Sequence, residues 1–169
     1  MADNWPCSTC PARDAGFCGA LLGQHSQETR ARTRPDWQDF DGARPNEVVL
    51  VRQETSEYVY VLCEGWAFRF LQLSDGRRQI LRFLLAGDLF SAVSFFVEKL
   101  NFSVQALTQI RLSRFRRAAV KEILAANSAV LQTLAASCIA EDAGAGELLL
   151  ALGRRSAEER ISAGSESAG

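Results

Sequence analysis

Between residues 47 and 115 the chain is cut into short runs of β-patterned sequence, and this punctuation limits the fold more than any other feature. The runs are Glu47 to Val51 (EVVLV), Tyr58 to Leu62 (YVYVL), Trp66 to Leu73 (WAFRFLQL), Arg78 to Leu85 (RQILRFLL), Phe102 to Leu107 (FSVQAL) and Ile110 to Phe115 (IRLSRF). Trp66 to Leu73 alternates apolar and polar residues over much of its length, the period-two pattern of a half-buried strand. Ser74-Asp75-Gly76 between the third and fourth runs predicts a hairpin, because Asp-Gly tolerates positive φ at low cost. Short strands with turns this closely spaced predict an antiparallel barrel or sandwich. Trp66, Phe68, Phe70 and Phe83 are expected in its core.

After Arg116 the pattern turns helical. Ala118 to Leu124 predicts a short helix, and Asn127 or Ser128 is an N-cap for a long one. Leu131, Leu134, Cys138, Glu141, Ala145, Leu148 and Leu152 fall on alternating a and d positions, a seam broken only at Glu141. Such a seam suits either packing on the sheet or pairing of two helices. Gly144 and Gly146 within it each cost about 1 kcal/mol in a helix interior. The expected organisation is therefore α+β. A turn-rich, cysteine-containing segment occupies residues 1–24, and a β domain with a polar lead-in spans 25–117. Helices cover 118–161, and a small, polar, disordered tail covers 162–169.

Composition excludes some classes. Nineteen Lys and Arg stand against twenty Asp and Glu, and the basic clusters are scattered, so nothing marks the chain as a nucleic-acid binder in its own right. No stretch reaches the roughly 18 uninterrupted apolar residues of a membrane span. The longest candidate, 139–152, is broken by Glu141, Asp142 and Glu147. With no signal-peptide layout at the N-terminus, a cytoplasmic chain is expected. An odd count of five cysteines in a reducing compartment argues against a disulfide framework. Cys7, Cys10 and Cys18 nevertheless lie close together, with Pro6, Pro11, Gly16 and Gly19 among them.

In order, Tyr58 to Leu85, the Ala86-Gly87-Asp88-Leu89-Phe90 corner, Phe102 to Leu107 and Gly153 to Ile161 (GRRSAEERI) resemble the sensor half of CRP/FNR transcription regulators. Ala86 stands where the family usually has proline. The resemblance covers roughly 45–161 and implies a β-roll of the cyclic-nucleotide-binding type followed by a dimerisation helix. Leu131, Leu134, Cys138, Ala145, Leu148 and Leu152 would line the pairing seam. Cyclic-nucleotide binders of the family carry a Gly-Glu pair and an Arg-Ser pair beyond the corner, the arginine bonding the phosphate. The corresponding FSAVSFFVEKLNFSV, residues 90–104, has neither, so cAMP is not the expected ligand.

Cys7-x2-Cys10-x7-Cys18 is similar instead to the N-terminal ligand set of the family's oxygen sensors, which hold an iron–sulfur cluster of the 4Fe-4S type. Thiolates converging from a turn-rich segment suit that chemistry better than thiolates on a regular helix or strand. The position aligned with the family's fourth ligand is Ser113, not cysteine. Cys63 is the first replacement and Cys138 the second, each with the alternative of a plain buried thiol. Zinc, with His25 as fourth ligand, and no metal at all remain open for the same set. The resemblance further implies a homodimer, or a heterodimer with full-length relatives. DNA binding would arise only where a helix-turn-helix domain is supplied, since nine residues follow Arg160. An enzyme is not expected: no base accompanies Cys7 or Cys10, and the single histidine cannot build a cupin-like metal site. The same count disfavours haem.

Overall fold

A computed structural model describes residues 13–23 and 37–140. Helix α1 (Gly16–Leu22) comes first, then strands β1 (Gln38–Ala43), β2 (Val48–Leu50), β3 (Tyr58–Glu64), β4 (Ala67–Gln72) and β5 (Arg78–Leu84). A 3-10 turn (Ala92–Phe95), β6 (Ser103–Ala106), β7 (Ile110–Arg116) and α2 (Arg117–Ala126) follow. Helix α3 (Ser128–Ala140) meets α2 at a bend of 116°. Among the described residues no single helix is long and apolar enough to cross a membrane.

The described strands form two antiparallel sheets, ordered β1-β7-β3 and β2-β6-β4-β5. Alternation along the strands gives the three-stranded sheet an apolar surface on both sides. One side, with Leu62, Ile110 and Leu112, meets Ala67, Leu84, Val104 and Ala106 of the other sheet to fill the roll interior. The opposite side, with Val59, Val61 and Phe115, is covered by α1, the 3-10 turn, α2 and α3. The architecture is the antiparallel β-roll with C-terminal helices that the sequence predicts.

Local chemistry explains the joints. Leu73 and Arg77 close the β4–β5 hairpin, with the Leu73 N–H donating to the Arg77 carbonyl at 2.8 Å. Asp75 accepts from the Arg77 backbone N–H at 3.0 Å and from its Nε at 2.8 Å. Gly65, at φ +85°, turns β3 into β4; a Cβ there would stand 2.3 Å from the Gln109 carbonyl oxygen, so no larger residue fits. Asn127 caps α3, its Oδ1 accepting from Ala129 N at 2.9 Å and Val130 N at 3.2 Å.

Three expectations are corrected. The polar lead-in before residue 43, where no strand was expected, contains β1, an edge strand paired with β7 from Gln38↔Phe115 to Ala43↔Ile110. QDFDGA lacks apolar alternation because ion pairs and a buried side-chain hydrogen bond hold it instead of burial. The cysteine-rich segment contains a helix, α1, and Cys18 lies within it. Trp66 and Phe83, expected in the core, are each 51% exposed, whereas Phe70 is buried. Phe68 pairs with Phe83 and Phe70 with Ile80 across β4–β5. Ala67 and Leu71 take the inward positions, which turns Phe68 and Phe83 to the outer face.

Candidate functional site

The helix-covered face of the three-stranded sheet brings two cysteines, Cys18 and Cys138, into the packing of α1, α2 and α3. Phe17, Cys18, Leu21 and Leu22 make one apolar side of α1, since residues four apart share a helix face. Phe17 seats against Phe115 of β7 at 6.1 Å, edge-on, and against Phe95 of the 3-10 turn at 6.4 Å. Trp37 also packs on Phe115, its ring centroid 5.9 Å away. Val120 and Leu124 of α2 and Val130 and Leu134 of α3 complete the same cluster. The i, i+4 pairs Phe17/Leu21 and Cys18/Leu22 were visible in FCGALL as a helical signal that the turn residues around them obscured.

Cys18 is buried in this cluster, and Cys138 of α3 packs against its margin. The two thiols thus lie on different helices that share one core. Cys63 is also buried, at the β3 bulge between Leu62 and Glu64, with its thiol 3.8 Å from the Val61 carbonyl. It belongs to neither core cluster as described. Cys7, Cys10 and His25 lie outside the described residues, as do Ala145, Leu148 and Leu152. Among the described residues no three His, Cys, Asp or Glu side chains converge as metal ligands.

Ser113 sits on β7 opposite Phe40 of β1 and Val61 of β3, fully buried. Its Oγ accepts a hydrogen bond of 2.8 Å from Gln38 Nε2, which is itself buried. One residue on, Arg114 Nη2 donates to Asp39 at 2.7 Å and Nη1 to Asp41 at 3.1 Å, while the guanidinium lies 4.9 Å from the Tyr58 ring. The Asp39 hydrogen bond, aided by both carboxylate charges, holds the Arg114 pKa above its ordinary value. Sequence reading missed both contacts, because partners 73 to 75 residues apart leave no local trace.

Within the roll, Tyr60 and Phe90 stack at 5.9 Å, and the Arg69 guanidinium lies 4.5 Å from the Phe102 ring. Beyond the Gly87-Asp88 corner, Asp88 accepts from Arg82 Nη2 at 3.2 Å and from Leu85 N at 2.9 Å. Ser91 Oγ accepts from Tyr60 N at 2.8 Å, tying the 3-10 turn to β3.

Residues 42–127 match the family model of the cyclic nucleotide-binding domain. The transcriptional activatory protein AadR of Rhodopseudomonas palustris is 28% identical over 163 residues, covering 95% of this chain and 65% of AadR. The nitrogen fixation regulation protein FixK of Azorhizobium caulinodans is 34% identical over 116 residues, covering 69% of this chain and 46% of FixK. The chain therefore spans about half to two thirds of the length of these relatives. The solved structure of FixK2 from Bradyrhizobium japonicum superposes with a TM-score of 0.63 at 28% identity, covering 69% of this chain and 58% of FixK2. The roll, its helical cover and these matches together make the chain a member of the cyclic nucleotide-binding domain family, a sensor domain of the CRP/FNR type.

Proposed function

We propose that this domain senses oxygen or redox state through an iron–sulfur cluster held by Cys7, Cys10 and Cys18, with Cys63 as fourth ligand, in a dimeric transcription regulator. The observation that carries the reading is the Cys7-x2-Cys10-x7-Cys18 spacing, while the place of Cys18 in a core built jointly by α1, α2 and α3 gives a bound group a route to α3. The donor types support it: thiolates are the ligands such clusters take, and the apolar residues around Cys18 limit solvent access to that thiol. When bound, the cluster supplies an oxygen-labile redox centre.

The chain's own residues supply the transmission. A change in the position of Cys18 moves Phe17 and Leu21 on the same helix. Those side chains share a close-packed core with Val120, Leu124, Val130 and Leu134, and such cores switch between discrete packings rather than deforming smoothly. Helix α3 thereby feels the state of α1. A full-length regulator with a helix-turn-helix domain beyond α3 would convert that into altered DNA engagement.

Cyclic nucleotide is not the proposed ligand. The roll interior is packed with Leu62, Phe90, Leu100 and Phe102, and residues 90–104 offer no arginine to a phosphate. Anaerobic purification followed by iron and sulfide analysis and absorption spectroscopy tests the reading. A coloured protein containing iron and acid-labile sulfide, bleached by air, is expected. A colourless preparation holding zinc, or no metal, overturns it and leaves the fold assignment untouched.

A further inference from the structure

The outer face of the four-stranded sheet, on the far side of the roll from the helices, is apolar and open. Phe68 of β4 lies opposite Phe83 of β5, and Phe70 opposite Ile80. Trp66 precedes Ala67, whose cross-strand partners are Leu84 and Ala106, so Leu85 and Leu107 flank it on the neighbouring strands. The Leu107 N–H donates to the Trp66 carbonyl at 2.8 Å, which fixes that end of the row. Trp66, Ile80, Phe83, Leu85 and Leu107 are each between 41% and 51% exposed. Single exposed apolar side chains are ordinary. Five on adjoining strands, two of them aromatic, form a patch of the kind that marks a contact surface.

The face also carries one sign of charge. Strands β4, β5 and β6 contain no Asp or Glu. Arg78 shares the outer face with Phe70, because its cross-strand partner is Gln72, two residues on. Its guanidinium lies 4.7 Å from the Phe70 ring and donates to Gln105 Oε1. Both of these partners are neutral, whereas Arg82 of the same strand is paired with Asp88. Arg78 is therefore a cation held in place, with guanidinium donors to spare and no carboxylate among the described residues to offset it.

We infer that this face is the docking surface for an acidic, apolar segment of a partner protein, whose apolar side chains seat on Trp66 and Phe83 and whose carboxylate pairs with Arg78. Exposed aromatic rings are the anchors such contacts use, and an arginine already immobilised loses little further freedom on binding. From Trp66 to Gln72 the strand rises about 20 Å, so a segment of about six extended residues spans both features. A basic partner would meet Arg78 with like charge. A second copy set face to face would bring two Arg78 groups together with no carboxylate between them.

The test is selection of a phage-displayed random dodecapeptide library on the immobilised full chain, with affinities of the recovered peptides measured by fluorescence anisotropy. Recovered sequences are expected to combine aliphatic or aromatic residues with Asp or Glu. Trp66→Thr together with Phe83→Thr should weaken their binding at least about tenfold, as loss of two aromatic anchors does. Arg78→Gln should remove the preference for acidic peptides. Arg78→Glu should reverse it, so that a fresh selection on that variant yields peptides with Lys or Arg, which a purely structural role for Arg78 would not produce. Lys121→Glu, an exposed change on α2 with the same effect on net charge, should leave binding unaltered. Circular dichroism melts should show every variant folded, since all these positions are exposed. A selection that recovers nothing, or only peptides without carboxylates, overturns the inference, as does equal binding to the Trp66→Thr/Phe83→Thr protein. So does self-association, or binding to phosphatidylglycerol–phosphatidylcholine vesicles, that this double variant abolishes, for the occupant would then be a second copy or lipid.

Discussion

Ser113 is a fully buried polar residue on the central strand β7, and its hydroxyl holds the edge strand β1. Its hydroxyl is the acceptor for Gln38 Nε2 at 2.8 Å, both residues being buried to within 1% of complete. The bond ties edge strand β1 to the central strand β7 in a place where β1 has little apolar burial to hold it. Ser113→Ala removes the acceptor without opening a large cavity, so its cost is chiefly that of an amide donor left in a dry site, about 1–3 kcal/mol. For a domain of this size that lowers the melting midpoint by roughly 2–4 °C per kcal/mol. Gln38→Met in the Ser113→Ala background removes the stranded donor and should recover much of the loss. The double-mutant cycle should therefore return a coupling on the order of 1 kcal/mol. Urea denaturation of the four proteins, with amide exchange at Phe40 as a local readout of β1, measures it. If Ser113→Ala melts within half a degree of wild type and the cycle shows no coupling, the hydrogen bond does not hold the strand and the reasoning fails.

Leu134→Ala, at a fully buried position of the cluster shared by α1, α2 and α3, should lower unfolding stability by about 2–5 kcal/mol in denaturant titrations. The same measurement should show less than about 1 kcal/mol for Leu131→Ala, which removes side chain from a half-exposed site. Asp75, hydrogen-bonded to the Arg77 side chain and backbone, is held below its ordinary pKa of 3.8. A depressed folded-state value stabilises the hairpin at pH above that ordinary pKa and is lost as pH falls through the lower, folded one. Carboxyl-detected NMR titration should therefore place the Asp75 midpoint below that of an unpaired aspartate, and Arg77→Ala should move it back up.

The strands between residues 47 and 116 were legible to within two residues because alternation and turn chemistry are local properties. Asp75-Gly76 announced its hairpin, and Asn127 announced its helix. The remainder depended on partners distant in sequence. Nothing in QDFDGA identifies a strand until Arg114 and Ser113 are brought beside it. Prolines and glycines around Cys18 masked a seven-residue helix whose stability comes from docking, as expected where a helix is too short to persist alone. The cysteine spacing was plain from the start, yet which thiol lies against which element is a matter of packing.

The sequence by itself determined the roll, its family and a helix starting after Asn127, since each follows from the order and character of neighbouring residues. Only the tertiary structure decided orientation: that Trp66 and Phe83 look outward, that Leu134 faces its own sheet while Leu131 does not, and that Cys18 shares a core with α3. A side chain's facing is the outcome of competition among surfaces for burial, and the competitors meet only when the chain has folded.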